Sequence, residues 1–385
     1  MLTSILIDWI NVMAEWLSAT DALELLGTQP QTLYANVSRG RIKARPDPED
    51  SRRSLYRADD VRRLAQRGAG RRKQAAVAAE AMRWGEPILN TAISTIDDGR
   101  LLYRGRDAAL LSREATLEQV AGLLWGTKPL VLPPMTEIAR GGIEAAFALL
   151  ARRAASDPPT AGRSPTVLRT EAAGLLAGIG AALAGSEPAR AGLHTRLAAG
   201  WGRPAAADRL RRTLVLLADH ELNASTFAAR VTASTGASLA ASVLSGLAAL
   251  TGPLHGTAAL SALALIEDAE RLGPEGAVMG RLGQGVPIPA LGHPLYPDGD
   301  ARAAELMAHL DVPRGCRDLA EVAERVTGRA PNIDFALAVL TLSEDLPREA
   351  PLVLFALGRS VGWLAHALEQ VESGELIRPR ARYVG

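Results

Sequence analysis

The sequence predicts an all-α protein with a small basic module at its N-terminus. From Trp84 onward, apolar residues with helical spacing and Ala/Leu-rich runs dominate, whereas alternating β-branched residues are scarce. The 385 residues are enough for two or three domains with a large core, and 48% apolar with 22% charged residues excludes a disordered chain. A single cysteine, Cys316, excludes a disulfide framework and a thiolate metal cluster.

The chain begins with an apolar stretch, residues 1–17, that contains Asp8 and Glu15. It has neither a basic leader nor a small-residue cleavage site, so it does not resemble a secretory signal. No stretch approaches the roughly 18 consecutive apolar residues that a membrane span needs. We therefore expect a soluble, cytoplasmic protein without a membrane segment.

Charge is distributed unevenly along the chain. From Arg39 to Lys73 there are 13 Lys or Arg residues and 5 Asp or Glu residues, a local balance of +8. Because the whole chain has a formal charge of +1, the remainder carries −7. This asymmetry predicts a basic module joined to a body that has a different task.

The basic module has an ordered set of predicted elements. Ser18 is placed to cap a first helix, Gly27 to end it, and Pro30 to start a second helix. The predicted elements are a helix at 19–26, a helix at 31–38, strands at 41–45 and 53–57, and a helix from 58 to 67. This order resembles the small winged helix-turn-helix of MerR and excisionase-like DNA-binding domains, including the step from Tyr56 to Val61.

The resemblance implies that the second helix of residues 1–67 enters a DNA major groove while neighbouring basic residues contact phosphates. The groove-facing candidates are Gln31, Thr32, Tyr34, Asn36 and Arg39, and the phosphate-facing candidates are Arg41, Lys43, Arg52 and Arg53. Duplex DNA is therefore a candidate partner. The alternative is a basic appendage that is vestigial or binds protein. Residues 68–84, which begin with a polar, glycine-containing basic run, are expected to form a linker.

The body is predicted to be helical with one or two hairpins. Its strand-like pieces are short, at 88–96 and 100–103, and residues 151–212 carry Ala-, Arg- and Pro-rich sequence without recognisable chemistry. The predicted helices are Leu117–Trp125, Glu171–Leu183, Leu210–His220, Ser238–Leu250, Ala258–Leu272, Ala301–Leu310, Ile333–Leu342 and Pro351–Val371.

Five blocks of the body combine polar residues with glycine and proline turns. They are Asp219–Arg230, Gly252–Gly256, Ile288–Tyr296 with Asp300 and Arg302 just after it, Pro331–Phe335, and Phe355–Trp363 with His366. Together with Tyr103-Arg104-Gly105, this ordered set closely resembles the citrate synthase family over about residues 85–385. One departure is Ala290-Leu291, which stands where the family usually has Gly-Phe.

The resemblance implies an all-α citrate synthase fold after the winged helix-turn-helix, with a large domain at 85–255 and 340–385 and a small domain at 256–339. It implies a homodimer with shared active sites that condenses acetyl-CoA with oxaloacetate and needs no cofactor. The sequence has neither a Gly-rich phosphate loop nor metal-ligand spacing. Two alternatives stay open: a 2-methylcitrate synthase that uses propionyl-CoA, and a DNA-binding regulator whose synthase-like body senses an acid or an acyl-CoA.

Removal of a proton next to a thioester carbonyl needs a base at the carbon and a hydrogen-bond donor at the carbonyl oxygen. By resemblance, Asp334 is the base, His255 is the donor, and His293 protonates the ketone of oxaloacetate. The residues give His255 a separate rationale, because it follows Pro253 at a predicted helix start, where the positive helix end disfavours imidazolium. A neutral imidazole can still donate to an enolising carbonyl.

The two carboxylates of oxaloacetate suit planar guanidinium forks. The implied substrate-binding residues are His220, Asn223, Arg302, Phe355, Arg359 and Arg378. Within this set, Arg378 is expected to reach the active site of the neighbouring subunit, and His220 lies three residues before Asn223 on one predicted helix face. Phe355 is expected to close the pocket. Arg230, Arg380 and His194 receive no role beyond structure or surface charge.

Overall fold

A computed structural model describes residues 15–26, 28–48, 50, 52–64, 89–133, 141–185, 191–381 and 383. The chain divides into two compact units, Met1–Asn90 and Thr91–Gly385. The predicted linker at 68–84 and residues 85–88 lie outside the described residues, as do residues 1–14.

The N-terminal unit contains short helices and a three-stranded antiparallel sheet. Its elements are β1 (Trp16–Leu17), α1 (Ala19–Leu26), α2 (Pro30–Ser38), β2 (Ala44–Pro46), β3 (Ser54–Arg57) and a helix at 58–64, α3. Ser18 caps α1, because its Oγ accepts a hydrogen bond from the backbone N–H of Asp21. The strand order is β1-β3-β2. The sequence did not predict β1, which pairs with β3 so that Leu17 lies opposite Tyr56. The predicted order from α1 to α3 is therefore present.

The face of α2 differs from the prediction at one position. Leu33 packs in the core of the unit, which also contains Leu17, Ile42 and Val61. Asn36 is buried beside this core and donates a hydrogen bond from Nδ2 to the carbonyl of Thr32, so the assignment of Asn36 to a DNA groove is wrong. The other candidate groove and phosphate residues of the unit are exposed. Their contact with DNA stays a prediction.

In its described residues the second unit is helical apart from one small antiparallel sheet, which confirms the all-α prediction. The sheet consists of β4 (Ser94–Asp97), β5 (Arg100–Tyr103) and β6 (Arg106–Asp107). The first helices are α4 (Ala108–Glu114), α5 (Leu117–Leu124), α6 (Ile143–Ser156), α7 (Pro165–Ala184), α8 (Leu193–Gly200) and α9 (Ala207–Leu216). The next are α10 (Ala224–Ser234), α11 (Leu239–Leu250), α12 (Ala258–Leu272) and α13 (Pro274–Gly283). The last are α14 (Ala301–Met307), α15 (Arg314–Thr327), α16 (Ile333–Ser343) and α17 (Ala350–Ser373).

Local sequence signals explain where several of these helices begin. Thr116 and Gln119 form a capping box at the start of α5, in which each side chain pairs with the backbone N–H of the other residue. Ser164 caps α7 and Ser238 caps α11 in the same sense, by accepting a backbone N–H.

The helix α17 forms the centre of the second unit. Nearly every residue from Ala350 to Leu368 is buried, including Arg359, Trp363 and His366. Both α7 and α17 are long and apolar enough to cross a membrane by length and composition alone, but most of each helix is packed inside the protein. The charged and polar groups inside α17 are therefore buried among apolar side chains and need partners within the protein.

Two apolar clusters lie inside the second unit. The larger cluster combines helices from both ends of the unit, including α5, α7, α11 and α17. The smaller cluster is built from residues between Ala262 and Val339, on α12, α13, α15 and one face of α16. This separate core is compatible with a small domain at 256–339, although α14 packs on the larger cluster. The domain boundaries stay a prediction.

Helix boundaries differ from the prediction at several places, and two of the differences lie beside site residues. The helix predicted at 210–220 ends at Leu216, because the Tyr103 hydroxyl donates to the Val215 carbonyl and accepts from the Asp219 N–H. Tyr103 thus replaces the next helical hydrogen bond. His220 therefore lies in a loop and does not share a helix face with Asn223.

The second wrong boundary lies at Pro253. Residues 251–257 form consecutive turns, in which the Gly256 N–H donates to the Leu250 carbonyl and Thr257 Oγ1 donates to the Gly252 carbonyl. The helix α12 starts only at Ala258. His255 therefore lies in the turn before the helix rather than in its first turn.

We predict that Gly246→Ala lowers the free energy of unfolding by about 1–3 kcal/mol, because overpacking strains a filled core. A Cβ at Gly246 would lie 2.8–3.0 Å from three ring atoms of Trp363. The matched control is Gly174→Ala in α7, where no atom lies within 4 Å of an added Cβ. The control should gain about 0.5–1 kcal/mol from the better helix propensity of alanine. Urea unfolding of both variants measures these changes. Equal changes in the free energy of unfolding would contradict the packing of α11 on α17.

Candidate active site

The structure brings most of the predicted site residues together around His220. This side chain is buried, and its pKa lies well below the usual value, first because of burial and then because of nearby positive or titratable groups. Those groups are Arg302, Arg359, His293 and His255. The His220 and His293 rings meet edge to face with centroids 5.1 Å apart. Four separate chain segments therefore converge on one pocket.

His255 is neutral because of its surroundings. Its ring lies 6.4 Å from the ring of Phe355, centroid to centroid, and burial lowers the pKa of His255 to about 4 with a further contribution from Arg359. The sequence predicted a neutral imidazole and attributed it to a helix end. The predicted helix start at His255 was wrong, and burial beside a guanidinium group is the physical cause of its low pKa.

Ser225, which the sequence analysis missed, holds His255. Its Oγ lies 2.8 Å from His255 Nε2, accepts a hydrogen bond from Trp363 Nε1 at 3.1 Å, and lies 2.7 Å from Asn223 Oδ1. The block that contains Asn223 carries Ser225 two residues further on, but a serine in a helix start resembles an ordinary cap. Only the tertiary contact with His255 reveals its role.

His293 lies on a loop that is tied to the start of α16. The Gly292 N–H donates to the Ala330 carbonyl at 2.7 Å, and the Asn332 N–H donates to the Ala290 carbonyl at 3.0 Å. Ala290 has a φ of 60°, in the left-handed region that the family's usual glycine would adopt more easily. Burial, and then Arg302, lower the pKa of His293 to about 4. This loop therefore also presents a neutral imidazole.

Asp334 lies in the first turn of α16, behind the cap residue Asn332. Its Oδ1 is buried and has no hydrogen-bond partner among the residues that the structure describes. Burial raises the pKa of Asp334 to about 7, although Arg302 and Arg359 act in the opposite direction. A carboxyl group of this pKa is poised to accept a proton near neutral pH.

The two site arginines of this chain are compensated in different ways. Arg302 is 3% exposed and pairs with Asp300 through Nε–Oδ1 at 2.9 Å and Nη2–Oδ2 at 2.8 Å. Arg359 is 1% exposed and donates from Nε to the Leu217 carbonyl, with its guanidinium 5.6 Å from the Phe355 ring centroid. Burial lowers the pKa of Arg359, and the Asp219 carboxylate opposes that shift.

Asp219 belongs to a buried network that the sequence analysis also missed. Its Oδ2 accepts from Ser94 Oγ and lies 3.3 Å from His366 Nε2. His366 Nδ1 lies 3.4 Å from Arg230 Nη1, and Arg230 Nη1 pairs with Glu369 Oε2 at 2.9 Å. Arg230 is therefore a buried structural residue, and the expectation that it is an ordinary surface charge was wrong.

Two predicted substrate-binding residues have other surroundings. Asn223 caps α10, because its Oδ1 accepts the N–H groups of Ser225 and Thr226 while Nδ2 donates to the His220 carbonyl. The structure thus gives Asn223 a capping role, and its contact with substrate stays a prediction. Arg378 is exposed in the segment after α17. Its reach into a partner's site stays a prediction.

The described residues contain no group of three or more His, Cys, Asp or Glu side chains that could hold a metal ion. The pocket instead concentrates hydrogen-bond donors and one raised-pKa carboxyl group. Such a pocket can bind an oxygen-rich anion and move a proton beside it.

The family model for the C-terminal domain of citrate synthase matches residues 164–380, more than half of the chain. The chain therefore belongs to the citrate synthase family. Its relatives include citrate synthases and a 2-methylcitrate synthase, so the family contains both kinds of enzyme.

Two relatives illustrate the match. A citrate synthase of Haloferax volcanii is 37% identical over 191 residues, which is 46% of this chain and 50% of that protein. A 2-methylcitrate synthase of Corynebacterium glutamicum is 35% identical over 185 residues, which is 45% of this chain and 49% of that protein. The chain thus spans about half the length of the curated relatives that it matches.

Solved structures match over a longer range. Citrate synthase from Thermotoga maritima has a TM-score of 0.65 and 27% identity, covering 78% of this chain and 94% of that one. Citrate synthase from Thermoplasma acidophilum has a TM-score of 0.63 at 24% identity and shares the fold. The predicted citrate synthase fold is therefore confirmed.

We predict that Asp300→Asn lowers the free energy of unfolding by about 3–5 kcal/mol, because it leaves the buried Arg302 without its counter-charge. The matched control is Asp298→Asn, an exposed aspartate of the same loop, which should change the stability by less than about 0.5 kcal/mol. Equilibrium unfolding in urea at neutral pH measures both. An Asp300 variant as stable as the control would show that the ion pair does not hold Arg302.

Proposed function

We propose that this protein is a citrate synthase-type acyltransferase that condenses acetyl-CoA with oxaloacetate to give citrate and CoA. The observation that carries the proposal is the combination of Asp334, whose pKa is raised to about 7, with His255, whose pKa is lowered to about 4. A base that works near neutral pH and a neutral donor are what enolisation of a thioester requires.

In the proposed first step, Asp334 removes a proton from the methyl group of acetyl-CoA. The electrons move into the carbonyl oxygen, which accepts a hydrogen bond from His255. Ser225 Oγ lies 2.8 Å from His255 Nε2 and would hold the imidazole ring in place beside the thioester oxygen.

In the proposed second step, the enol carbon attacks the ketone carbon of oxaloacetate while His293 supplies a proton to the ketone oxygen. Water then hydrolyses the citryl thioester, which releases the CoA thiol and citrate. Arg302 and Arg359 would hold the two carboxylates of oxaloacetate, because guanidinium groups match carboxylates in shape and charge. Phe355 lies between Arg359 and His255 and would shield the reacting groups from water.

The proposal also covers the identity of the acyl donor and the oligomeric state. The solved Thermoplasma acidophilum protein holds carboxymethyl coenzyme A and oxaloacetate, which supports this substrate pair. The Corynebacterium relative keeps propionyl-CoA as the second candidate donor. We further propose a cytoplasmic homodimer without a cofactor, in which the exposed Arg378 completes the partner's site.

We predict that Asp334→Asn lowers oxaloacetate-dependent thiol release from acetyl-CoA by about 10²–10⁴-fold, because the variant lacks the general base. Oxaloacetate binding should persist, since the arginines remain. An Arg378→Ala variant should also lose activity, and mixing the two variants with subunit exchange should restore part of it. The half-buried Asp318→Asn on α15, outside the proposed site, is the control with normal turnover. Normal turnover of the Asp334 variant would refute the base, and an inactive exchanged mixture would refute the shared site.

We predict an acidic limb in the pH profile of the reaction. Asp334 is active as a carboxylate and its pKa is raised to about 7, so protonation below pH 7 removes the base. The value of kcat/KM should fall about tenfold per pH unit below that point. His255 and His293 stay neutral in this range, because their pKa values are about 4. A flat profile between pH 5 and 8 would exclude Asp334 as the titrating base.

A second candidate function, DNA binding, is favoured by the exposed surface of the N-terminal unit. On α2, Gln31, Thr32 and Tyr34 are exposed, with Tyr34 at 56%. Beside them, Arg41 and Lys43 are exposed and their charges face solvent. We propose that this surface binds the phosphates and the groove of duplex DNA.

We predict that Arg41→Gln with Lys43→Gln weakens DNA binding and reduces its salt dependence. The slope of log affinity against log salt should fall by about one for each lost phosphate contact. Arg152→Gln with Arg317→Gln, two exposed arginines of the second unit, is the control. Gel shifts of the full chain with duplex DNA at two salt concentrations measure the effect. Equal affinities of both variants and the natural chain would contradict DNA binding by this surface.

A further inference from the structure

Tyr296 touches three predicted site residues and has no assigned role in the proposed mechanism. It is 1% exposed, and its hydroxyl lies 2.9 Å from His220 Nε2. The ring centroid is 5.1 Å from that of His293 and 5.0 Å from the Arg302 guanidinium carbon. The phenol is therefore in direct contact with the histidine around which the pocket converges.

The direction of the hydrogen bond between Tyr296 and His220 follows from the donors and acceptors that each side chain has. A neutral imidazole has one donor and one acceptor, and a phenol has one O–H. If His220 donated, the Tyr296 proton would need a second acceptor, and the described part of the chain shows none. If Tyr296 donates to Nε2, no buried O–H is left without a partner, and such orphaned donors are rare and costly.

Arg302 favours the same direction. Its guanidinium faces the Tyr296 ring, and a nearby cation makes a phenol O–H a stronger donor and a weaker acceptor. Burial raises the pKa of Tyr296 to about 12, so the hydroxyl keeps its proton and is available as a donor. Both partners are therefore neutral, with the shared proton on the oxygen.

We propose that Tyr296 is a positioning residue that fixes His220 in the Nδ1–H tautomer, so that His220 donates from Nδ1 to a carboxylate of the bound acid. His220 Nδ1 makes no hydrogen bond within the described residues, whereas Arg302 and Arg359 lie close by. All three side chains then present donors to an acceptor-only ligand. The identity of that ligand rests on the proposed function, but the tautomer does not.

The protein contains an internal reference for this assignment. Arg230 has only donors, so its Nη1 donates to His366 Nδ1, and His366 then carries its proton on Nε2, facing Asp219 Oδ2. His366 is thus expected in the opposite tautomer. The chain has six histidines in total, which keeps a histidine-selective spectrum simple.

The test is a two-bond ¹H–¹⁵N spectrum of the full chain labelled with ¹⁵N-histidine, without any substrate. The natural chain should show His220, identified by loss of its signal in His220→Gln, as the Nδ1–H tautomer and His366 as the Nε2–H tautomer. In Tyr296→Phe, His220 should shift toward the Nε2–H tautomer while His366 stays unchanged. An Nε2–H His220 in the natural chain overturns the proposal without any variant.

Tyr103→Phe is the matched control, since it removes another buried hydroxyl that contacts the same loop only through the backbone of residues 215, 216 and 219. It should leave the His220 tautomer unchanged. An equal shift in Tyr103→Phe would show that loop loosening, and not the Tyr296 hydrogen bond, sets the tautomer. No shift in Tyr296→Phe would likewise overturn the proposal.

Steady-state kinetics then connect the tautomer to binding. In Tyr296→Phe the KM for oxaloacetate should rise about 10–100-fold, by analogy with removal of the outer partner of a metal-ligating histidine, with a smaller change in kcat. A shifted tautomer with an unchanged KM would overturn the role of Nδ1 in binding. If no acyl-CoA is turned over but the spectra are as expected, the tautomer assignment stands and the proposed function fails.

Discussion

Burial of two guanidinium groups is the constraint on which the rest of the site depends. Arg302 and Arg359 have almost no contact with solvent, yet guanidinium stays charged under ordinary conditions. A buried charge is tolerated only where other charges or hydrogen bonds replace water. Arg302 has a bidentate partner in Asp300, whereas Arg359 has a backbone carbonyl and the more distant Asp219. This difference leaves the Nη groups of Arg359 without a hydrogen bond to the described residues.

The same low-dielectric, positively charged pocket determines the protonation of its neighbours. Burial disfavours any charged form, so the pKa values of the histidines fall and that of Asp334 rises. The two arginines lower the histidine pKa values further but restrain the rise for the carboxyl group. Burial close to two arginines therefore accounts both for the neutral imidazoles and for a carboxyl group that ionises near neutral pH.

The sequence predicted the helices that depend on local signals and missed the features that depend on distant contacts. The body of helix α12 was predicted at Ala258–Leu272, as observed, since its apolar spacing is complete within the helix. Only the helix start that was expected at Pro253 was wrong. The end of α9 was missed, because the hydroxyl that stops it belongs to Tyr103, more than a hundred residues away. The motifs that resemble the citrate synthase family contain His255, His293 and Asp334, so the sequence offered these three as candidate site residues. Ser225 and Tyr296 act on another side chain, and only the folded structure shows which one.

One carboxylate connects the two halves of the proposed chemistry mechanically. Asp300 Oδ2 accepts hydrogen bonds both from Arg302 Nη2 and from the backbone N–H of Ile333, the residue before Asp334. A displacement of Arg302 by a bound acid would therefore be transmitted to the start of α16 through this one carboxylate. The side chain proposed to hold the acid and the one proposed to take the proton are thus linked by a single residue.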